Sequence, residues 1–94
     1  MDGRRVDRQA AERIGRNVFL ARRRAGFSQE ELGALAGLHR TEVGMVEKGE
    51  RLPRVDTLLK LAASLVVSVG ELVAGIEWIV PAPTRPGTFA IAGR

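Results

Sequence analysis

Cysteine is absent from the chain, so no disulfide framework holds it together. A single histidine, His39, argues against a protein metal site, and no cofactor is expected. No apolar run is long: the least polar stretch, Leu61 to Gly70, falls well short of a bilayer span. The start, Met1-Asp-Gly-Arg-Arg5, lacks the apolar segment of a secretion signal, so a cytoplasmic location is the expectation. Nucleophile–base pairings and phosphate-cradling glycine loops are also missing, and the carboxylates are scattered over helix surfaces and caps. Enzymatic activity is therefore not expected. The 94 residues suffice for one small domain with a modest core.

Positive charge is present in excess and is unevenly placed. Of the net +4, residues 1–27 contribute +5, from eight arginines against Asp2, Asp7 and Glu12. Residues 28–75 sum to −2 and residues 76–94 to +1. A basic leading segment favours a polyanionic partner through salt-dependent phosphate contacts. On charge alone, a solvated helix face explains it equally well.

The spacing within residues 27–49 decides between them. Ser28 is a good N-cap, Glu31 completes a capping box, and Phe27 with Leu32 can form a hydrophobic staple. Leu32, Leu35 and Ala36 recur at helical spacing, and Gly37 stands where a left-handed residue ends that helix. A second helix runs from about Arg40 to Lys48 and stops at Gly49. Val43, Val46 and Glu47 share one side of it; Arg40, Thr41, Gly44, Met45 and Lys48 share the other. A helix with an apolar inner edge and a cationic, small-residue outer edge can be anchored in a domain while entering a DNA groove.

Residues 14–75 resemble the Cro- and phage-repressor-like (XRE-type) helix-turn-helix family. The likeness runs through Ile14-Gly15, Arg22, Gly26 to Leu32, Ala36-Gly37, Glu47-Lys48-Gly49, Pro53, Thr57-Leu58, Lys60-Leu61-Ala62 and Leu65. Gly37-Leu38-His39-Arg40-Thr41 is similar to the controller proteins of restriction–modification systems, although those have tyrosine where this chain has Glu42. The resemblance implies an all-α, five-helix, lambda-repressor-like domain over residues 1–75, followed by a short extended arm over 76–94. It also implies a partly buried ion pair between Arg22 and Glu47, and a backbone-clamping role for Gln29.

The remaining elements follow from periodicity. The first helix is expected from near Asp7 to Ala25, with Ile14, Val18, Ala21 and Ala25 buried and residues 1–6 as a basic arm. Leu58, Leu61, Ala62 and Leu65 mark the buried stripe of the fourth. Val66 stands where the family usually has glycine, and its β-branch argues for a different helix end. Ser68 and Glu71 suggest a further capping box, with Gly75 ending the fifth helix. Ile76, Trp78 and Val80 then alternate with Glu77 and Ile79 in a strand-like period, followed by a proline-rich breaker and Phe89-Ala90-Ile91.

These readings place Ser28, Gln29, His39, Arg40, Thr41, Gly44, Met45, Lys48, Arg51 and Arg54 at double-stranded DNA. Arg40 is suited to a bidentate guanine contact, and Lys48, Arg51 and Arg54 to phosphates. Glu42, three residues after His39, is expected to cap rather than read bases. A homodimer is expected, with Val69, Leu72, Val73, Ile76 and Trp78 at its interface. The function this implies is a sequence-specific transcription regulator without membrane association. The alternative is an antitoxin-like module that engages a partner protein through the 76–94 arm.

Overall fold

A computed structural model describes residues 3–92, with side-chain placement from Arg8 onward. In chain order it contains α1 (Gly3–Ala25), α2 (Gln29–Ala36), α3 (Arg40–Lys48), α4 (Val55–Leu65), α5 (Val69–Leu72), β1 (Ile76–Ile79) and β2 (Thr88–Ile91). None of these helices is long and apolar enough to cross a membrane. The core joins Ile14, Val18 and Ala21 of α1 to Leu32, Ala36, Val43, Val46, Leu58, Leu61, Leu65 and Leu72.

The first helix begins at Gly3, four residues earlier than Asp7, because Arg4 and Arg5 are good helix formers that carry it back past Asp7. The expected basic arm is thus partly helical backbone, with residues 1 and 2 outside the described residues. Its buried stripe reaches back to Ala10 and Ala11, while Ala25 at the other end is exposed. Leu35 is also exposed, at 59%. In its place α2 buries Gly33, where any side chain would collide with the Leu38 carbonyl; the turn at residues 38–40 folds back too closely there for more than a hydrogen atom.

The end of α4 is shaped as glycine would shape it, against the expectation from a β-branched residue. Val66 takes the left-handed conformation (φ 57°, ψ 46°), with its N–H on Ala63 O and the Val67 N–H on Ala62 O. The corner must reverse the chain so that Val67 and Leu72 reach the core, and that demand outweighs a local cost of about 1–2 kcal/mol. After it, Ser68 caps α5 by accepting from the Glu71 N–H, but Glu71 returns no bond to Ser68, so half a capping box forms. The fifth helix is a single turn and ends at Leu72, three residues before Gly75.

Residues 76–92 of the arm fold onto their own domain. β1 and β2 pair antiparallel, Ile76 opposite Ile91 and Trp78 opposite Phe89, closed by a tight turn between Ala82 and Arg85. β2 lies along α1. The Trp78 and Phe89 rings meet edge to face at 5.1 Å. Asn17 of α1 donates to the carbonyls of Leu72 and Ala74, both at 3.0 Å, and so pins the start of the hairpin. The all-α class holds with this small sheet added.

Because the Val66 side chain is 88% exposed, replacing it removes strain with little loss of burial. Val66→Gly is expected to raise stability by about 1 kcal/mol, after glycine's greater unfolded freedom is deducted. Thermal melts should show that as a rise of roughly 4–8 °C for a domain of this size. A lower melting temperature would show that the corner is unstrained.

Candidate nucleic-acid interface

The geometry of α3 is set at both ends by its own sequence. His39 is the N-cap: its Nδ1 accepts from the Thr41 N–H at 3.1 Å, while Glu42 Oε1 accepts from the His39 N–H at 3.1 Å. Glu42 is therefore a capping carboxylate, as its spacing suggested. Accepting at Nδ1 places the ring proton of neutral His39 on Nε2. The Thr41 hydroxyl, 2.6 Å from the same Nδ1, then donates inward and keeps its lone pairs for an incoming donor. At the other end Gly49 adopts φ 69° directly over Glu12 of α1, a left-handed site where a side chain would also strike the α1 backbone.

One carboxylate ties this helix to the rest. Arg22 Nε donates to Glu47 Oε2 at 2.6 Å and Arg22 Nη2 to Glu47 Oε1 at 3.0 Å. Arg22 Nη1 donates to Phe27 O at 2.8 Å, and Gln29 Nε2 donates to Glu47 Oε1 at 3.0 Å. The two charged side chains are only 9% and 6% exposed. Glu47 stands at the negative end of the α3 dipole, an unfavourable place that its three charge-assisted or amide bonds offset. The hydrogen bond to Glu47 raises the Arg22 pKa above its ordinary value, burial opposes, and the attraction between the charges adds to the rise. Arg22 thus stays charged at all working pH values.

Gly15, quoted above only as part of the family likeness, is a positioning residue. A side chain there would run into the Val46 and Glu47 carbonyls, so α1 and α3 cross almost backbone to backbone. Two helical turns further along the same face of α1 comes Arg22, which is how its guanidinium meets Glu47. A glycine inside an otherwise regular helix was the available signal.

With α3 fixed, the DNA-reading candidates fall as follows. Arg40, Thr41 and Lys48 are exposed, and Met45 is half-buried. Arg40 lies 4.0 Å from Glu30 in an exposed, weak pairing that leaves it free to turn. Gly44 lies beside Gln29, where an added Cβ would be 3.5 Å from the amide oxygen. Ser28 caps α2 with its hydroxyl accepting from the Glu31 N–H, and Gln29 gives one of its two amide hydrogens to Glu47. Arg51 and Arg54 line an open cleft of about 460 Å³ between α3 and α4, together with Met45, Thr57 and Lys60. Lys60, absent from the sequence-derived set, brings a third cation to that cleft, while Arg54 is held at 3.3 Å by Asp56.

A helix-turn-helix family model matches residues 19–72, more than half of the chain. The chain belongs to the XRE-type helix-turn-helix family. This family is one of transcriptional regulators. The control protein C.SmaI of Serratia marcescens is 43% identical over 61 residues, 65% of this chain and 73% of that protein. The crystal structure of the restriction-modification controller protein C.AhdI from Aeromonas hydrophila superposes with a TM-score of 0.64 at 39% identity, covering 66% of this chain and 94% of that one. The P22 c2 repressor, solved in complex with a synthetic operator, is similar at 26% identity and a TM-score of 0.62, over 66% of this chain and 94% of its own. The fold of this helix-turn-helix protein is thus lambda-repressor-like, and its hairpin lies beyond the residues matched by the family model.

Of the expected dimer-interface residues, Leu72 is a correction. It is wholly buried in the monomer core, because the single turn of α5 points it inward between α1 and α4. Val69, Val73 and Ile76 are half-buried and Trp78 is 54% exposed.

Breaking the Arg22–Glu47 pair from one side leaves a buried guanidinium without its anion. Glu47→Gln is expected to lower stability in a denaturant melt by about 3–5 kcal/mol. A loss of about 1 kcal/mol or less would mark the pair as no more than a surface contact.

Proposed function

We propose that this helix-turn-helix regulator binds operator DNA as a homodimer, each α3 lying in the major groove of one half of a pseudo-palindrome. The observation that carries this reading is the exposure of Arg40 and Thr41 on a helix whose opposite edge is held by Arg22, Gln29 and Glu47. A rod so constrained presents its outer edge without reorganising on binding. One α3 spans too few base pairs for useful selectivity, and two-fold pairing places half-sites about one helical turn apart, ~34–36 Å.

The residues divide the work. Arg40 contacts guanine O6 and N7 with its planar fork. Thr41, its hydroxyl hydrogen turned toward His39, offers its methyl group and acceptor lone pairs, which suits a thymine methyl better than a phosphate. Met45 adds apolar contact. Ser28, the second amide hydrogen of Gln29, His39 through Nε2–H, Lys48, Arg51 and Arg54 hold phosphates, and Lys60 extends that track. Gly44 admits the backbone edge beside Gln29. Similarity to C.SmaI and C.AhdI supports a controller-type role.

Selection from a random DNA pool should recover a two-fold symmetric site. On that site Arg40→Ala is expected to cost about 1–3 kcal/mol of binding and to relax preference at one position per half-site. Arg51→Ala should weaken all sequences alike and reduce the slope of log affinity against log salt by about 1. Equal loss for both variants on all sequences would overturn the division between base reading and phosphate holding.

A further inference from the structure

The outer edge of the hairpin carries a pattern of spent and unspent hydrogen-bonding groups that is complementary to itself. β2 lies along α1, which leaves β1 as the outer strand. The Ala92 N–H donates to Gly75 O at 2.7 Å, and the register continues from that pair. Bonded pairs alternate along an antiparallel ladder, so Glu77 and Ile79 point their backbone groups inward to β2. Ile76, Trp78 and Val80 point theirs outward. Two of those outward groups are already used within the chain. The Ile76 N–H donates to Val73 O at 3.3 Å, and Val80 O accepts from Arg85 Nη1 at 2.9 Å. Among the described residues, those left without a partner are both backbone groups of Trp78, the Ile76 carbonyl and the Val80 N–H.

From this we infer that β1 pairs antiparallel with β1 of a second copy of the chain, about a two-fold axis at Trp78, joining two hairpins into one four-stranded sheet. In that register each Trp78 N–H donates to the partner's Trp78 carbonyl, and each Val80 N–H to the partner's Ile76 carbonyl. All the open groups are satisfied. The remaining two groups of the outer rungs are those that Val73 and Arg85 already occupy. Shifting the axis to Ile79 would call on the Val80 carbonyl, already occupied. Shifting it to Glu77 would set two carboxylates directly opposite each other, which is destabilising. Centring on Trp78 instead places each Glu77 opposite Ile79.

Side chains support the same occupant. Trp78 is 54% exposed and Val80 65% exposed, a large apolar area on a two-stranded ribbon that is marginal alone. β1 has neither a lysine nor a proline to guard its edge, and Glu77 is its single charge. Pairing brings the two Trp78 residues side by side over Phe89 and Ile91 of each copy. The inference rests on the homodimer proposed above and names the surface that forms it.

Two sets of variants test it. Val80→Pro removes the outward N–H while keeping the carbonyl that Arg85 uses, and an outward edge position is where a strand tolerates proline. Sedimentation equilibrium is expected to show a wild-type dimer and, for Val80→Pro, a dissociation constant raised about tenfold or more with an unchanged far-ultraviolet circular dichroism spectrum. In a chain without cysteine, Trp78→Cys should cross-link under mild oxidation, since directly bonded strand positions are about 5.5 Å apart between Cα atoms, within disulfide reach. Arg85→Cys, at the hairpin tip away from the axis, should not. If Val80→Pro misfolds, the cysteine pair decides alone. A wild-type monomer at every concentration, a Val80→Pro dimer as tight as wild type, or equal cross-linking at both cysteines overturns the inference. Operator selection by the wild-type protein, measured on the same samples, reports separately on the DNA-binding reading. Selective binding with strand pairing refuted leaves that reading intact, whereas loss of all selectivity removes it.

Discussion

A negative charge sits in the last turn of α3, at the end of the helix where the backbone dipole least welcomes it. Everything around Glu47 answers that misplacement. Arg22 supplies two bonds from α1, Gln29 supplies one from the start of α2, and Arg22 reaches on to the Phe27 carbonyl in the connection between them. Three helices and a loop are thereby held to one carboxylate in a nearly dry setting. Apolar residues could fill that volume at no loss of stability, and often at a gain. What an ion pair adds is direction: its fork has one productive geometry, and that geometry sets the rotation of α3 about its own axis. Gly15 makes the arrangement possible by letting the carbonyls of α3 approach the α1 backbone.

The orientation of α3 then decides which of its residues face outward. Val43 and Val46 are buried with Glu47 on the inner edge, so Arg40 and Thr41 are left outside. Charge follows the same division. Residues 28–75 carry net negative charge, yet Arg40, Lys48, Arg51, Arg54 and Lys60 are all exposed at or beside the outer edge of α3 and the cleft next to it. The acidic residues are mostly spent on structure: Glu31 and Glu42 on caps, Glu47 on the lock, Asp56 on Arg54. Net charge alone would have pointed to the first 27 residues as the anion-binding surface. Local pairing shows why the weakly acidic segment can still present a cationic face.

Much of this was legible in the chain, because caps and turns are written locally. Ser28 with Glu31, His39 with Glu42, Gly37 and Gly49 each announce a helix end within four residues, and each formed as read. The Arg22–Glu47 pair required a resemblance, since nothing in a 25-residue separation identifies partners. Where reading failed, the deciding force was tertiary. Leu35 has helical spacing with Leu32 and Ala36, but an eight-residue helix has only one face to bury, and the close return of the turn at residues 38–40 chose Gly33. Val66 was read by its local preference, which the need to turn the corner overrode. Leu72 seemed available for a second subunit because the brevity of α5 cannot be seen from its residues; one turn cannot serve both a core and an interface.

The hairpin shows the limit of local reading in its sharpest form. Alternation of Ile76, Trp78 and Val80 correctly signalled a strand, but a strand signal does not say what covers each face and edge. Docking on α1 resolves one side, through β2 and the Asn17 bonds to the Leu72 and Ala74 carbonyls. It also fixes the hairpin to the helix whose other side carries α3, by way of Gly15 and Glu12. Any partner that engages β1 is thus coupled through one rigid helix to α3. If the two copies join there, the spacing of their α3 helices is set by α1 and the hairpin together, and the hairpin lies outside the part of the chain that the family model matches. Half-site spacing would then be a property of this chain's own C-terminal segment rather than of the fold it shares with its relatives.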